Sequence, residues 1–192
     1  MLDKRMLALL LGRQDLDGDW EILGRGDLPR EPKTSDPACT RVKRDLYSAE
    51  NASLQGSLRW RQAGPGNGRG FLQVVKLHPG QGAAAEVARV RASVERCRSW
   101  GEGEGLEAGY LHNLSMQLAT APRVGDEAVA WRYTSRIGPA APPFRAYSVL
   151  FRVGSVTSLI DYSAGAKTSD ATAEKELHKL VALAAARVAE AI

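Results

Sequence analysis

The chain has 192 residues, of which 44% are hydrophobic, and carries a formal net charge of +4 at neutral pH. This length and apolar content predict one domain around one sizeable core and exclude a long disordered chain. The basic residues are scattered along the sequence rather than gathered into a stripe, so we expect no nucleic-acid partner.

The N-terminal segment is predicted to be a short helix followed by irregular structure. Its longest apolar run, over 6–11, is far shorter than the ~20 residues that a membrane-spanning helix needs. It also lacks the small-residue cleavage site of a signal peptide. We therefore expect no transmembrane segment in this chain, which is cytoplasmic if Met1 is the native start and otherwise the mature part of an exported protein. The helix is expected to end at Gly12, and a turn over 15–20 and an irregular segment over 24–37 follow.

Two strands are expected next, over 56–63 and 71–79, joined by a glycine-rich hairpin loop. Apolar and basic residues alternate along the first strand. Trp60 is therefore expected to face one side of the sheet, and Arg59 and Arg61 the other.

A helix is predicted over 83–98, because valines recur at spacings of three and four from Val87 to Val94. Cys97 continues this apolar stripe, which fits a structural cysteine better than a reactive one. The second of the two cysteines, Cys39, falls in the loop expected before the first strand. The pair permits one bridge, which we expect to be oxidised in an exported protein, whereas both residues would be buried free thiols in the cytosol.

The second half of the chain predicts four strands and a helix. After a loop rich in glycine and acidic residues over 101–109, strands are expected over 110–119 and 127–137. The closing helix is expected to run from Asp170, its predicted N-cap, to the end of the chain.

A β-hairpin over 146–163 is the clearest local signal. Two runs of β-branched and aromatic residues flank Gly154 and Ser155, a connection typical of a type II′ turn whose first central position needs a positive φ. This turn predicts seven cross-strand pairs: Val153–Val156, Arg152–Thr157, Phe151–Ser158, Leu150–Leu159, Val149–Ile160, Ser148–Asp161 and Tyr147–Tyr162. One face of the hairpin is then nearly all apolar and is expected to pack on the C-terminal helix. The mixed face is expected either to border a cleft or to be covered by another helix.

In order, these elements are a helix, two strands, a helix, four strands and a helix. Hairpin connections favour an antiparallel arrangement, so we predict an α+β fold in which a mainly antiparallel six-stranded sheet is flanked by helices in an α/β sandwich. We expect a single domain over 1–192, with the N-terminal helix and irregular segment in 1–37 and the core in 38–192.

The motifs that imitate known sites each lack an essential residue. Asp15, Asp17 and Asp19 resemble the start of an EF-hand calcium loop, but Trp20 and Gly26 stand where such a loop needs glycine and glutamate. The glycine-rich hairpin loop has no P-loop ending, and the histidines lie on different predicted elements without paired ligand spacing. We therefore expect no metal, no cofactor and no catalytic residues.

A small-molecule pocket is the remaining candidate for a site. Aromatic residues on strands usually belong to the core, but some can line an apolar cleft together with a few polar groups. Histidine on such a strand face is more often structural than a general base. The candidate ligand-binding residues are Trp60, His112, Met116, Trp131, Tyr133, Leu150, Arg152 and Leu159.

Several phrases resemble those of one family in the same order: ALLLGRQDLDGDW (8–20), the segment from Cys39 through AAAEVARVRASVERC (83–97), VGDEAVAWR (124–132), FRVGSVTSLIDY (151–162) and an alanine-rich closing helix. The chain resembles the extracellular sensor domain of the PknH-like Ser/Thr protein kinases and related exported actinobacterial lipoproteins, which share a PsbP-like α/β sandwich. The resemblance implies an antiparallel sheet with a cleft, a non-catalytic role outside the membrane and a disulfide between Cys39 and Cys97. It also implies a lipid anchor outside this sequence.

We therefore expect an extracytoplasmic ligand-binding or sensor-like domain for an apolar or amphiphilic small molecule or an envelope component. Two alternatives stay open. An enzyme on the same scaffold, such as a natural-product cyclase or isomerase, could work by positioning with few titratable groups. A basic surface module could bind anionic lipid or envelope polymers, with binding that weakens steeply with salt.

Overall fold

The computed structural model describes residues 3–24, 33–47, 52–62, 68–103, 112–137, 143–165 and 167–192. Over these residues the helices are α1 (Lys4–Leu9), α2 (Pro37–Tyr47), α3 (Gly82–Arg96) and α4 (Asp170–Ala191). The strands are β1 (Trp20–Gly24), β2 (Lys33–Thr34), β3 (Leu54–Gln62), β4 (Arg69–Leu77), β5 (Trp100–Gly103), β6 (His112–Ala119), β7 (Glu127–Ile137), β8 (Phe144–Val153) and β9 (Val156–Ser163).

The strands form one antiparallel sheet in the order β1-β3-β4-β9-β8-β7-β6-β5-β2. The predicted α+β class is confirmed. The predicted count of six strands is wrong, because the described part of the chain contains nine. The missed strands, β1, β2 and β5, are short and lie at or beside the sheet edges. Strands β2 and β5 fall in segments whose glycine and charge had indicated loops, and β1 falls between the predicted turn and the predicted irregular segment. A strand at an edge depends more on its neighbour than on its own composition.

The β8–β9 hairpin is confirmed in detail. All seven predicted cross-strand pairs are present in the observed register. Gly154 has a φ of 58°, the positive value that the turn requires. The Asp126 carboxylate accepts a hydrogen bond from the Gly154 N–H at 2.8 Å and also pairs with Arg152, so it holds the turn from outside.

The apolar face of this hairpin packs against α4, as the sequence predicts. Val149, Phe151 and Ile160 are fully buried in one cluster with Val181 and Ala184 of the helix. Helix α1 contacts α4 on the same side of the sheet. These two helices therefore form one covering layer.

The end of α1 is fixed to this side of the sheet by a buried glutamine. Gln73 of β4 is fully buried, and its Oε1 accepts a hydrogen bond from the Leu11 N–H at 2.8 Å. Its amide nitrogen donates to Ser158 Oγ at 3.2 Å. A buried polar side chain is tolerated here because both ends of its amide have partners.

The opposite face of the sheet is covered by α3 and α2. Leu150 and Leu159, on the mixed face of the hairpin, are buried in one cluster with Val87 and Val90 of α3. Along this part of the sheet the mixed face is therefore covered by a helix, which is one of the two expected outcomes.

A buried polar cluster joins α3 to the sheet. The Glu86 carboxylate, 3% exposed, accepts hydrogen bonds from Lys76 Nζ at 2.7 Å and Thr157 Oγ1 at 2.5 Å, and lies 3.0 Å from His78 Nε2. Burial on its own would raise the pKa of Glu86, but the hydrogen bond from His78 and the charge of Lys76 lower it to about 2. The carboxylate is therefore charged and fully paired in the core.

Two helix starts differ from the expectations. Cys39 was placed in a loop but lies in the first turn of α2, where Pro37 is the first helical residue and the Asp36 carboxylate accepts backbone N–H hydrogen bonds. Proline at this position and a preceding aspartate are signals of a helix N-terminus that the sequence analysis missed. The N-cap of α4 is Ser169 rather than Asp170.

Cys39 and Cys97 form the disulfide that the resemblance implied, with their Cα atoms 5.4 Å apart. The bridge joins the start of α2 to the residue that follows α3. Since it closes a loop with a sequence separation of 58, the chain-entropy model gives a stabilisation of about 4 kcal/mol.

Candidate functional site

Helix α3 leaves one end of its sheet face uncovered, and this end forms the floor of a cleft of about 710 Å³. That volume lies within the roughly 300–1,000 Å³ typical of small-molecule sites. The C-terminal end of α2 contributes one wall through Leu46 and Tyr47. Two apolar side chains at the rim, Leu23 and Phe144, are 54% and 53% exposed.

The registers of six strands bring the floor residues into two rows that cross the sheet. One row consists of Arg59, Leu72, Asp161, Ser148 and Trp131. The other consists of Arg61, Gly70, Ser163, Ala146, Tyr133 and Met116. The floor therefore changes from basic at β3, through small and polar in the middle, to aromatic at β7.

A hydrogen-bonded cluster occupies the middle of the floor. The Tyr47 hydroxyl donates to Asp161 Oδ2 at 2.5 Å, and the Ser148 hydroxyl donates to Asp161 Oδ1 at 3.0 Å. Burial of the Tyr47 phenol, together with the charge of Asp161, raises its pKa well above the ordinary value. Tyr47 therefore stays protonated and acts as a hydrogen-bond donor rather than as a base.

The β3 end of the cleft is basic. Arg59 and Arg61 are exposed, and neither forms an ion pair or a side-chain hydrogen bond with another described residue. Glu21 lies opposite Arg61 in the β1–β3 register, but no ion pair joins these two residues. This end of the cleft thus presents two guanidinium groups to an incoming ligand.

The β6–β7 end is apolar. Met116 and Trp131 are each 3% exposed, and Tyr133 is half-buried. The ring of Tyr133 packs against that of Trp100, with their centroids 6.3 Å apart. Rigid aromatic side chains of this kind provide apolar contact area at low conformational cost.

Three of the predicted site residues, Met116, Trp131 and Tyr133, line the cleft with side chains on its floor. Trp60 borders the cleft as well, but its ring is buried in the core cluster on the opposite face of the sheet. Ligand binding by these four residues stays a prediction. Leu150 and Leu159 do not line the cleft, because α3 covers them. Arg152 lies at the hairpin turn, where it pairs with Asp126. The backbone of His112 begins β6, but its side chain lies outside the described part of the chain.

The polar half of the cleft was not predicted from the sequence. Tyr47 was missed because α2 was not predicted. The cross-strand pair Ser148–Asp161 was predicted, and Arg59 and Arg61 were predicted to face the same side of the sheet. Neither pair was assigned to a site. Such an assignment needs the strand order β3-β4-β9-β8, which no local signal in the sequence supplies.

Within the described ranges, no cluster of three or more histidine, cysteine or acidic side chains could hold a metal ion. Among the helices of those ranges, none combines the length and the apolar character needed to cross a membrane.

The chain has a single antiparallel sheet between two helical layers, with a cleft at the end that α3 leaves open. This arrangement places the chain in the α/β-sandwich class. The solved extracellular domain of PknH from Mycobacterium tuberculosis has this fold, with a TM-score of 0.69 over 100% of this chain and 96% of that chain. The two sequences are 14% identical. The PknH-like fold that the sequence resemblance predicted is therefore confirmed.

A second solved structure, an uncharacterised protein from Mycobacterium smegmatis, matches with a TM-score of 0.48 and 12% identity over 96% of this chain and 95% of that chain. No protein-family model matches the sequence. No curated protein matches it either.

Proposed function

We propose that this chain is a non-catalytic, sensor-like domain that works outside the cytoplasm and binds an apolar or amphiphilic small molecule, or an envelope component of that chemistry, in the cleft. The observation that carries the proposal is the cleft itself. It combines aromatic walls with a small number of polar groups, the usual composition of a ligand-binding pocket.

The chemistry of the described cleft residues supports binding rather than catalysis. Tyr47 is kept protonated by burial and by Asp161, and the two oxygens of Asp161 already accept hydrogen bonds. A general base or nucleophile would need a pKa matched to its task and a free reacting atom. These groups are better suited to orienting a ligand.

The disulfide and the fold support a location outside the cytoplasm. Disulfides persist in oxidising compartments, and the Cys39–Cys97 bridge is buried and closed. The structural neighbour with the same fold is an extracellular domain. We also propose that a lipid anchors the protein to the membrane, since residues 8–20 resemble those of exported lipoproteins. We further propose that residues 1–192 form a single domain, since all of the described strands belong to one sheet.

The cleft is tested by filling it. Ser163 is a small floor residue, and Ser163→Phe would place a ring over the middle of the cleft. The matched control is Ala92→Phe, which adds a ring at an exposed position of α3. The probe is N-phenyl-1-naphthylamine, an uncharged apolar dye whose fluorescence rises in apolar sites. We expect saturable binding to the wild type and the control and a loss of at least tenfold in affinity for Ser163→Phe. Equal binding by all three proteins would refute the proposal.

A further inference from the structure

We infer that the cleft selects an amphiphile with one terminal anionic group, which Arg59 and Arg61 bind while the apolar part reaches Trp131 and Tyr133. The occupant is a single lipid-like molecule inside the cleft rather than a membrane surface. This inference rests on the proposed function, because it specifies the ligand class of the same cleft.

The two arginines are placed to act together. They are separated by one residue on β3 and face the same side of the sheet, so their Cα atoms are roughly 6.8 Å apart. Two arginine side chains at this spacing are long enough to converge on one phosphate or carboxylate group. Each guanidinium can then donate two parallel N–H hydrogen bonds to that group.

Three other arginines on strands of the same sheet are already paired with acidic side chains. Arg69 pairs with Glu176 at 3.3 Å, Arg145 with Asp170 at 2.9 Å, and Arg152 with Asp126 at 3.0 Å. Within the described residues, Arg59 and Arg61 have no such acidic partner. Their donors are therefore available to a ligand.

The distance across the floor fixes the shape of the ligand. Four strand spacings separate β3 from β7 in the sheet, and at about 4.8 Å each they amount to roughly 19 Å. A small inorganic anion cannot contact both ends. A molecule that uses the basic and the aromatic end at once must be elongated, with its charge at one terminus.

Asp161 sets the direction in which such a molecule lies. Its carboxylate stands between the two ends, and Tyr47 and Ser148 satisfy its oxygens. A negative charge at this place repels an anionic group from the middle of the floor. The anionic group is therefore directed to Arg59 and Arg61, and the apolar part lies over the small floor residues towards Trp131.

The test compares two ligands that share one chain length and differ in charge, decyl phosphate and 1-decanol. Each is titrated, below its aggregation concentration, against protein loaded with N-phenyl-1-naphthylamine. For the wild type we expect decyl phosphate to bind at least tenfold tighter than 1-decanol. The ratio of these two affinities should fall as salt is added, because salt screens the charge of the phosphate. In the double variant Arg59→Gln/Arg61→Gln we expect the ratio to fall to about one while the affinity for 1-decanol is unchanged.

Two further variants distinguish the effect of the planar guanidinium group from the effect of net charge. Arg98→Gln/Arg123→Gln removes the same charge from exposed positions outside the cleft and is expected to keep the wild-type ratio. Arg59→Lys/Arg61→Lys keeps the charge without the guanidinium fork and is expected to give an intermediate ratio. Thermal unfolding of each variant verifies that it is folded.

The outcomes distinguish this inference from the proposed function. If 1-decanol binds as tightly as decyl phosphate, or if Arg59→Gln/Arg61→Gln keeps the ratio, the anionic selection is refuted while a ligand-binding cleft stands. If neither ligand displaces the dye, both this inference and the proposed function are refuted. If the double variant loses binding to phosphatidylglycerol vesicles but not to decyl phosphate, the arginines serve a membrane surface and the inference is overturned.

Discussion

The hydroxyl of Tyr47 lies 2.5 Å from Asp161 Oδ2 and joins the end of α2 to β9 across 114 positions of sequence. At the other end of α2, the disulfide joins Cys39 to Cys97. The helix that forms one wall of the cleft is therefore fixed at both ends, covalently at its start and by a partly buried hydrogen bond where it meets the floor.

Removal of the Tyr47 hydroxyl tests this attachment. Tyr47→Phe leaves one oxygen of Asp161 without its donor, so we expect a loss of about 1–3 kcal/mol in the free energy of unfolding and weaker dye binding. The matched control is Tyr147→Phe, which removes a hydroxyl that donates to Asp170 at 2.7 Å on the opposite face of the sheet. The control is expected to lower stability but to leave dye binding unchanged. Urea unfolding and dye titration measure the two effects, and equal dye binding by both variants would contradict the role of Tyr47 in the cleft.

Opening the disulfide tests the other attachment. Cys39→Ser/Cys97→Ser is expected to lower the free energy of unfolding by up to about 4 kcal/mol, since the bridge no longer limits the unfolded chain. Dye affinity should fall as well, because the start of α2 is released. Urea unfolding of the oxidised, reduced and double-serine proteins measures the difference. Unchanged stability on reduction would show that the bridge contributes nothing.

Acid should weaken the attachment of α3 through Glu86. Its folded pKa of about 2 lies below the ordinary value of 4.5, so its contribution is fully present above about pH 4.5 and is lost as the pH falls towards 2. The shift corresponds to about 3 kcal/mol. In urea unfolding from pH 7 to pH 2, the stability difference between the wild type and Glu86→Gln should shrink over this window.

The surface variant Glu127→Gln is the control for Glu86→Gln, because it removes a carboxylate that pairs with Arg91 at 2.9 Å at the surface. At neutral pH, Glu86→Gln should be the more damaging change by several kcal/mol, since it leaves Lys76 buried without its charged partner. If the free energies of unfolding of the wild type and Glu86→Gln differ by a constant amount from pH 7 to pH 2, the low pKa of Glu86 is contradicted.

Gln73 should hold the end of α1 in place. Gln73→Leu leaves the buried Leu11 N–H without an acceptor, so we expect a loss of about 1–3 kcal/mol and faster hydrogen exchange at that amide. The control Gln117→Leu changes an exposed glutamine on β6 and is expected to be close to neutral. Unaltered exchange at Leu11 in Gln73→Leu would show that the hydrogen bond does not fix α1.

The parts of the fold that the sequence predicts are those determined by local patterns. Gly154 and the alternation on either side of it determine the β8–β9 register, because a slip of one residue would move Val149 and Ile160 from the core to the other face. The valines of α3 likewise determine which side of that helix is buried. These signals lie within one element or one turn.

The cleft could not be predicted in the same way. Arg59, Asp161 and Trp131 become neighbours through the order of β3, β4, β9, β8 and β7, which depends on packing over the whole sheet. Tyr47 joins them through α2, whose start at Pro37 was taken for irregular structure. The resemblance to a sensor domain supplied the expectation of a cleft but not its residues.

Binding of an anionic amphiphile in the cleft is tested most directly by a two-dimensional amide NMR titration with decyl phosphate. We expect saturable chemical-shift changes at the amides of Arg59, Gly70, Asp161 and Trp131, while the amides of α4 keep their shifts. Changes confined to the α1–α4 face, or spread evenly over the surface, would contradict it.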